Sequence, residues 1–518
     1  MTSAQATVSQ TKQGQGYDVI VVGAGNAALC AALSAREGGA SVLVLEKAPR
    51  HLRGGNTAFT AGGFRFAYDG IEQIRPLLPD LSNEEVAGIE VGSYPRAQFY
   101  DDLLRVTEGL ADPDLAETLV SESWPTVRWL QQTGVRWVLM YGRQAFRVEG
   151  KLRFWGGLVM EAVGGGQGLS DQQFGLCEQH GIDVRYETKA TGLLQDRRGR
   201  VTGLRVFGPD GSEEVAAGAV VLGAGGFEAN PEWRTRYLGQ GWELAKVRGT
   251  RYNTGDAIRM ALEAGAQPFG HWSGCHSVAW DLNAPPFGDL KIGDLFQKHS
   301  YPLGLIVNLD GKRFVDEGAD FRNYTYVKYG RAILGQPQRT AFQLFDAKVI
   351  EILRDEYRIA RATKATSDTI GGLAEALGIE REGLERTVAE YNAAVQEGTF
   401  NPAVLDGKGT RGITPPKSNW AQRLDSPPYT GFAVTCGITF TFGGLRIDAA
   451  TAQALDTEDR PLPGLYACGE LVGGLFYHNY PGGSGLMAGA VFGRRAGAGA
   501  AREALAAPSP APPPSRET

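Results

Sequence analysis

Hydrophobic positions along this chain fall into three patterns. Short apolar runs, Asp18–Val22 and Ser41–Leu45, are bounded by glycine or polar positions and predict parallel strands buried on both faces. Similar strand signals recur at Val184–Tyr186, Val201–Phe207, Ala219–Leu222, Leu305–Asn308 and Gly464–Ala467. A second pattern, Leu373, Leu377, Leu384, Val388 and Tyr391, has helical spacing and predicts helices with one apolar face, broken at Gly378. The third is polar. Residues 1–16 are rich in Gln, Ser and Thr and predict a disordered leader, and residues 506–518 predict a proline-rich, extended tail.

The first two strands carry the most specific motif. Gly23 follows the first strand and permits a tight turn, and Gly25 lets backbone approach a pyrophosphate over the N-terminus of the helix from Asn26. Ala28 stands where the usual fingerprint has its third glycine and is small enough for close helix–strand packing. Glu46 ends the second strand, where a carboxylate accepts ribose hydroxyls. A glycine triplet alone is a weak signal. A triplet inside a complete strand–helix–strand unit with its acid is a strong one.

Composition narrows the class. The chain has 518 residues, 42% hydrophobic and 21% charged, enough for two domains or for one large domain with an insertion. Its 71 glycines are nearly twice the share of roughly 7% usual in proteins. Many occur as Gly-Gly pairs, as expected where backbone passes close to a bulky cofactor. A net charge of −6 argues against a nucleic-acid partner. Cys30, Cys177, Cys275, Cys436 and Cys468 have no CxxC spacing, so no local metal motif is expected. With no secretory core, twin arginine or membrane-length apolar run, the expected location is the cytoplasm.

Further glycine motifs follow in order. Arg53-Gly-Gly-Asn-Thr57 and Thr60-Ala-Gly-Gly-Phe64 would set backbone amides against a flat ring system. Near Thr188-Lys-Ala190 a strand end could meet an adenine edge. Val220–Phe227 is a second strand-to-glycine turn, and Asn253-Thr-Gly-Asp-Ala257 precedes an Ala-rich helix. Gly464–Glu470 is a strand ending in an acid, and Tyr480-Pro-Gly-Gly-Ser-Gly485 opens the last apolar helix. Any one of these could be a plain turn. Together they call for a long, two-ended cofactor.

Over residues 17–500 the chain resembles the fumarate reductase/succinate dehydrogenase flavoprotein superfamily. Gly54–Thr57, Phe59–Phe64 and Phe476–Gly485 are most similar to FAD-dependent tricarballylate dehydrogenases. The fold implied is α/β, a Rossmann-like FAD-binding domain (17–271 and 431–505) with an inserted α+β capping domain at 272–430. FAD contacts are implied at Gly23, Gly25, Asn26, Glu46, Lys47, Gly55, Asn56, Thr57, Gly62, Gly63, Ala190, Asp256, Glu470, Ser484 and Leu486. No histidine stands in Gly54–Thr57, where some members bond the flavin covalently, so the FAD is expected to be non-covalent. No metal site is expected.

For catalysis the resemblance implies Arg322, after Gly311-Lys-Arg-Phe-Val-Asp-Glu317, as the proton-transfer residue, with Asp316, Glu317 and Asp320 as relay candidates. His276 resembles a substrate-binding histidine, the alternative being a hydrogen-bonded core histidine. Phe440 and Tyr480 replace a histidine and a carboxylate-clamping arginine of fumarate-type enzymes. Tyr480 before Pro-Gly is also similar to the ketone-polarising tyrosine of 3-ketosteroid dehydrogenases. Arg143, Arg147 and Arg153, with Phe146, Phe154 and Trp155 interleaved, read as a solvated face or as anchors for a polycarboxylate. His478 reads as a substrate contact or a residue behind one.

These features predict oxidation of a CH–CH bond beside a carboxylate, tricarballylate to cis-aconitate, on a small carboxylate substrate. Only one dinucleotide fingerprint is present, so electrons are expected to leave by a route other than NAD(P), and the resemblance implies a membrane-bound iron–sulfur partner as acceptor. A ketosteroid-type dehydrogenase, a fumarate-reductase-like enoate reductase, a corrin-biosynthesis flavoprotein and a non-enzymatic flavin electron carrier remain as alternatives.

Overall fold

The apolar run Tyr17–Val22 forms strand β1, and Val19, Ile20 and Val21 are fully buried. It lies parallel between β2 (Val42–Leu45) and the second half of β6 (Gly211–Leu222), which explains its lack of alternation. A computed structural model describes residues 16–154 and 157–506. The predicted leader through residue 15, the tail beyond residue 506, and Trp155 lie outside the described residues.

The central sheet has eight strands. Its main path runs β4 (Lys189–Gln195), β5 (Val201–Gly208), β6, β1, β2, β3 (Asp183–Arg185), with β12 (Pro461–Ala467) parallel to β6. The first half of β6 pairs antiparallel with β5 and the second half parallel with β1. Helix α1 (Asn26–Glu37) packs on this sheet against the last helix, α7 (Ser484–Ala506). Their backbones touch: a Cβ on Gly493 or Gly497 would collide with the carbonyl oxygens of Ala27 or Ala31. The chain therefore closes on itself, its last helix against its first.

A second sheet is organised by two long strands, β7 (Pro268–Asp281) and β11 (Tyr429–Leu445). They pair antiparallel from Pro268↔Leu445 to Asp281↔Val434, with irregularities at 271–275 and 276–277. Strands β9 (Ala341–Phe345) and β10 (Lys364–Ser367) also pair with β11, and β8 (Leu305–Asn308) with β9. The predicted limits at 272 and 430 fall within these two strands, 272 at the irregularity after His271 and 430 in the part of β11 that pairs with β9 and β10. Leu373, Leu384, Val388 and Tyr391 lie on helices α5 (Ile370–Leu377) and α6 (Arg381–Ala394) and pack on Leu305, Val307, Phe342 and Leu344. Gly378 separates the two helices at φ +72°, a left-handed value that suits glycine. Helix α4 (Tyr326–Leu334) packs on β7, with Gly330 directly against Ser277.

One lobe has no counterpart in the sequence reading. Residues 63–162 hold helix α2 (Pro113–Thr133), capped by Asp112, and two three-stranded sheets. Those strands are two to four residues long, too short for a hydrophobic period to show. Thr188–Ala190 also differs from expectation: a strand begins there rather than ends. Helix α3 (Asp256–Glu263) follows Asn253–Gly255 as its Ala-rich pattern predicts. Among the described residues no helix is long and apolar enough to cross a membrane.

Candidate functional site

A cleft runs from the turn after β1 to the underside of the second sheet, with about 1960 Å³ of non-atom space including its open mouth. At one end Gly23 takes φ +100°, and a Cβ there would lie 2.6 Å from the Gly223 oxygen and 2.7 Å from Ala224 Cα. The two glycine turns thus sit back to back. Gly25 is different: a Cβ would meet nothing closer than Thr57 Oγ1 at 3.5 Å, so its lack of a side chain leaves open space above the α1 N-terminus.

Asn26 ties three segments around that space. Its backbone N–H donates to Thr57 Oγ1 (2.9 Å), its Nδ2 donates to the Leu486 carbonyl (2.9 Å), and its Oδ1 accepts from Gln173 (2.9 Å). Glu46 is buried. Oε1 accepts the Ala48 N–H at 2.7 Å, and burial pushes the carboxyl above its ordinary value. Lys47 and Lys189 each place Nζ 2.7 Å from Asp256. Burial opposes ionisation of Asp256, but the hydrogen bonds from Lys189 and Lys47 outweigh it and hold this carboxyl well below the usual range.

Midway along, Asn56 has both ends of its amide occupied. Nδ2 donates to Glu228 Oε1 and the Thr439 carbonyl, both at 2.7 Å, and Oδ1 accepts from the Thr250 N–H at 2.9 Å. Asn253 Nδ2 bridges Glu228 (2.7 Å) and Glu470 (3.4 Å). Burial raises the pKa of both carboxyls, and the nearness of Glu228 raises that of Glu470 further. Glu228 escaped the sequence reading, although it directly follows the glycine turn Val220–Phe227 that was singled out.

The far end is basic and aromatic. Arg143, Arg248, Arg322, Tyr326 and Tyr480 line it together with Asp294, Gln297 and Phe440. Tyr326 and Tyr480 join their hydroxyls at 2.6 Å. Burial raises both phenol pKa values. Arg322 is buried, and its Nε has no hydrogen-bond partner among the described residues. Burial lowers its pKa, against the opposing influence of Tyr326 and Glu356. The proposed relay acids turn elsewhere: Asp320 pairs with Arg105, Glu317 with Arg313, and Asp316 accepts from Ser418. Each had an alternative partner that sequence proximity to Arg322 did not reveal.

Most implied contacts line this one cleft: Gly23, Gly25, Asn26, Glu46, Lys47, Gly55, Asn56, Thr57, Gly63, Ala190, Asp256, Glu470, Leu486, Arg322 and Tyr480. Four do not. Gly62 packs on Gly165 behind the wall, where a Cβ would be 2.5 Å from the Gly165 carbonyl carbon. Ser484 is fully buried between the lining residues Gly483 and Gly485, its hydroxyl without a partner. His276 lies under Phe440, stacked at 5.2 Å, with both ring nitrogens unpartnered, and burial pulls its pKa well below the ordinary value. His478 takes φ +55° and donates its backbone N–H to His271 Nδ1. The basic run divides: Arg143 enters the cleft, Arg147 bonds the Gly150 carbonyl, and Arg153 pairs with Glu90 and Glu149. Arg248, Asp294, Gln297 and Tyr326 belong to no motif and are brought here only by folding.

Residues 18–486 match the family described as FAD binding domain. The chain belongs to this family. It is 30% identical over 94% of its length to a fumarate reductase (cytochrome) of Shewanella frigidimarina, covering 77% of that protein. The open conformation of a flavocytochrome c3 fumarate reductase superposes with a TM-score of 0.70, at 27% identity, over 94% of this chain and 78% of that one. A 3-ketosteroid delta1-dehydrogenase from Sterolibacterium denitrificans shares the fold, with a TM-score of 0.71, 22% identity and coverage of 94% and 99%.

The chain is thus an FAD-dependent oxidoreductase of the fumarate reductase/succinate dehydrogenase flavoprotein superfamily, acting on CH–CH bonds. The residues present fit the cofactor. Open space over Gly25 suits a pyrophosphate, a buried acid stands at Glu46, and the partnerless Ser484 hydroxyl sits at the N-terminus of α7. Among the described residues, no group of three or more His, Cys, Asp or Glu side chains is placed to hold a metal ion.

Proposed function

We propose that this flavoprotein oxidises the CH–CH bond of a small polycarboxylate, with tricarballylate the best-matched substrate and cis-aconitate the product. The observation that carries this reading is the basic end of the cleft, where Arg143, Arg248 and Arg322 meet a single lining carboxylate, Asp294. Three guanidiniums lining one end of the cleft, with N–H donors left beyond those Asp294 takes, favour an anionic ligand over a neutral apolar one.

FAD, when bound, supplies the hydride acceptor. Gly23, Gly25, Asn26, Glu46, Lys47, Ala190 and Asp256 would hold its adenosine diphosphate half, and Gly55, Asn56, Thr57, Gly63, Glu470 and Leu486 its ring half. The chain's own chemistry is then to bind carboxylates, keep water out and take one proton. Arg322 is the residue assigned to take that proton from the carbon next to the one losing hydride, and it does so as the neutral guanidine, the form that burial favours. Tyr480, fixed by Tyr326, supports a substrate oxygen. His276 acts from behind Phe440 by shaping that wall. With one dinucleotide fingerprint in the chain, the electrons go to an acceptor other than a bound NAD(P), and the likeness to the family makes a separate membrane-bound iron–sulfur protein our candidate.

The Tyr326–Tyr480 pair favours a second reading, in which two hydroxyls polarise a ketone and desaturation occurs beside it. An anaerobic screen separates the two. Tricarballylate should bleach the flavin faster than succinate, and 3-ketosteroids and NADH should leave it yellow. Faster bleaching by a ketosteroid, or re-oxidation of reduced flavin by fumarate without any response to tricarballylate, would replace the reading with the ketone or the enoate-reductase alternative.

A further inference from the structure

Two of the arginines that line the cleft share one acid. Asp294, itself buried, accepts from Arg248 Nε at 2.9 Å and from Arg248 Nη2 on Oδ1, and from Arg143 Nη1 and Gln297 Nε2 (2.6 Å) on Oδ2. Arg248 also donates to Thr439 Oγ1 at 3.2 Å. A simple structural ion pair needs one cation per carboxylate. Here two guanidiniums converge on one, at the wall of an open cleft. Guanidinium forks keep further N–H donors once one carboxylate is engaged, and those donors suit a second carboxylate.

The same short helix connects this pair to Arg322. Arg143 lies in the turn Tyr141–Gln144, and its carbonyl oxygen accepts from Arg322 Nη2 at 3.5 Å. The next residue, Gln144, forms a reciprocal amide pair with Asn323, at 3.0 and 3.3 Å. Arg322 and Asn323 are neighbours in sequence, so the separation between the Arg143 side chain and Arg322 is set by a locked contact between two lobes.

We infer that Arg143 and Arg248, held together by Asp294, clamp a substrate carboxylate remote from the reacting carbons and thereby select tricarboxylates over dicarboxylates. The inference rests on the carboxylate reading above and adds to it which residues read the third carboxylate. Arg322 handles the reacting bond, and the clamp measures the distance from it to the far end of the substrate.

The test uses the FAD-loaded protein. Citrate, a tricarboxylate probe, and succinate are titrated while the flavin absorbance is followed, and KM for tricarballylate is measured alongside. Arg143→Gln and Arg248→Gln should each weaken citrate binding by about tenfold or more, the loss of a charge-assisted hydrogen bond. Succinate binding should change by less than about twofold, since it makes no charge-assisted bond to the clamp. Arg143→Lys should recover only part of the loss, because it keeps the charge without the fork. If a glutamine variant fails to retain flavin, Asp294→Asn replaces it and should erode the same preference by releasing both arginines. Variants that keep the parent's tricarboxylate-to-dicarboxylate ratio overturn the clamp alone. A parent flavin that responds to no carboxylate overturns the substrate class and the clamp together.

Discussion

Glu46 shows how much rests on a single buried carboxylate. Its Oε1 already accepts the Ala48 N–H, and the remaining acceptor capacity is available to ribose hydroxyls. Glu46→Ala should therefore weaken FAD retention by about 1.5–3 kcal/mol, the worth of a hydrogen bond to a charged group. Equilibrium dialysis at falling protein concentration reads this loss, and unchanged retention would remove Glu46 from the cofactor site. Arg322 makes the opposite case. Arg322→Ala and Arg322→Lys should both keep FAD and lose flavin reduction by substrate, since lysine restores charge but not the planar fork. Stopped-flow bleaching at the parent rate in either variant would place the proton elsewhere. Glu161, strand-paired with Gly63 and Val138, supplies a pH test. Burial lifts its carboxyl to about 7 from 4.5, against the pull of Arg143. The folded chain thus holds this proton more tightly than the unfolded chain. Its contribution is fully present below pH 4.5 and lost as pH rises through about 7. Denaturant titrations should show the parent losing stability relative to Glu161→Gln across that window.

At the scale of elements, the α1–α7 contact is a backbone-to-backbone joint in the FAD-binding body. Small residues bring the two helix backbones together, and Gly497 sits directly on the Ala31 carbonyl. Gly497→Ala has no room for its methyl group and should cost about 1–3 kcal/mol by overpacking. Chemical denaturation of the variant and parent measures it, and a variant as stable as the parent would mean that α7 shifts freely. The joint also matters for the cofactor. Asn26 at the start of α1 donates to the Leu486 carbonyl at the start of α7, so strain between the helices reaches the cleft wall through one hydrogen bond.

Across the whole molecule the cleft is assembled from distant parts of the chain. Residues drawn from the segments 22–27, 45–57, 188–190, 223–225 and 248–257 line it, as do Thr439–Phe442 of β11 and the start of α7. FAD bound there stabilises the folded protein by mass action, so its removal should lower the melting temperature. We expect the cofactor to leave intact. Asn56 stands where covalent relatives were expected to place a histidine, and both ends of its amide are engaged by Glu228, Thr439 and Thr250. Acid precipitation should give a yellow supernatant and a colourless pellet. Flavin that stays on the polypeptide would overturn this expectation.

What the sequence determined by itself was the nucleotide-binding frame. Gly23, Gly25, Glu46 and the run Tyr480–Gly485 lie in short contiguous motifs, where backbone conformation and local chemistry demand particular residues at fixed spacing. The buried strands and the helix break at Gly378 were legible for the same reason, because each is a local pattern. Tertiary structure alone brought together the basic end of the cleft, although Arg322 and Arg143 were each singled out in the sequence. Arg143, Arg248, Asp294 and Arg322 come from four separate segments, and none carries a motif that names the others. It also turned Asp316, Glu317 and Asp320 away from Arg322, since each carboxylate took the partner that folding brought nearest. Charge pairing depends on distance through space. A sequence records distance only along the chain.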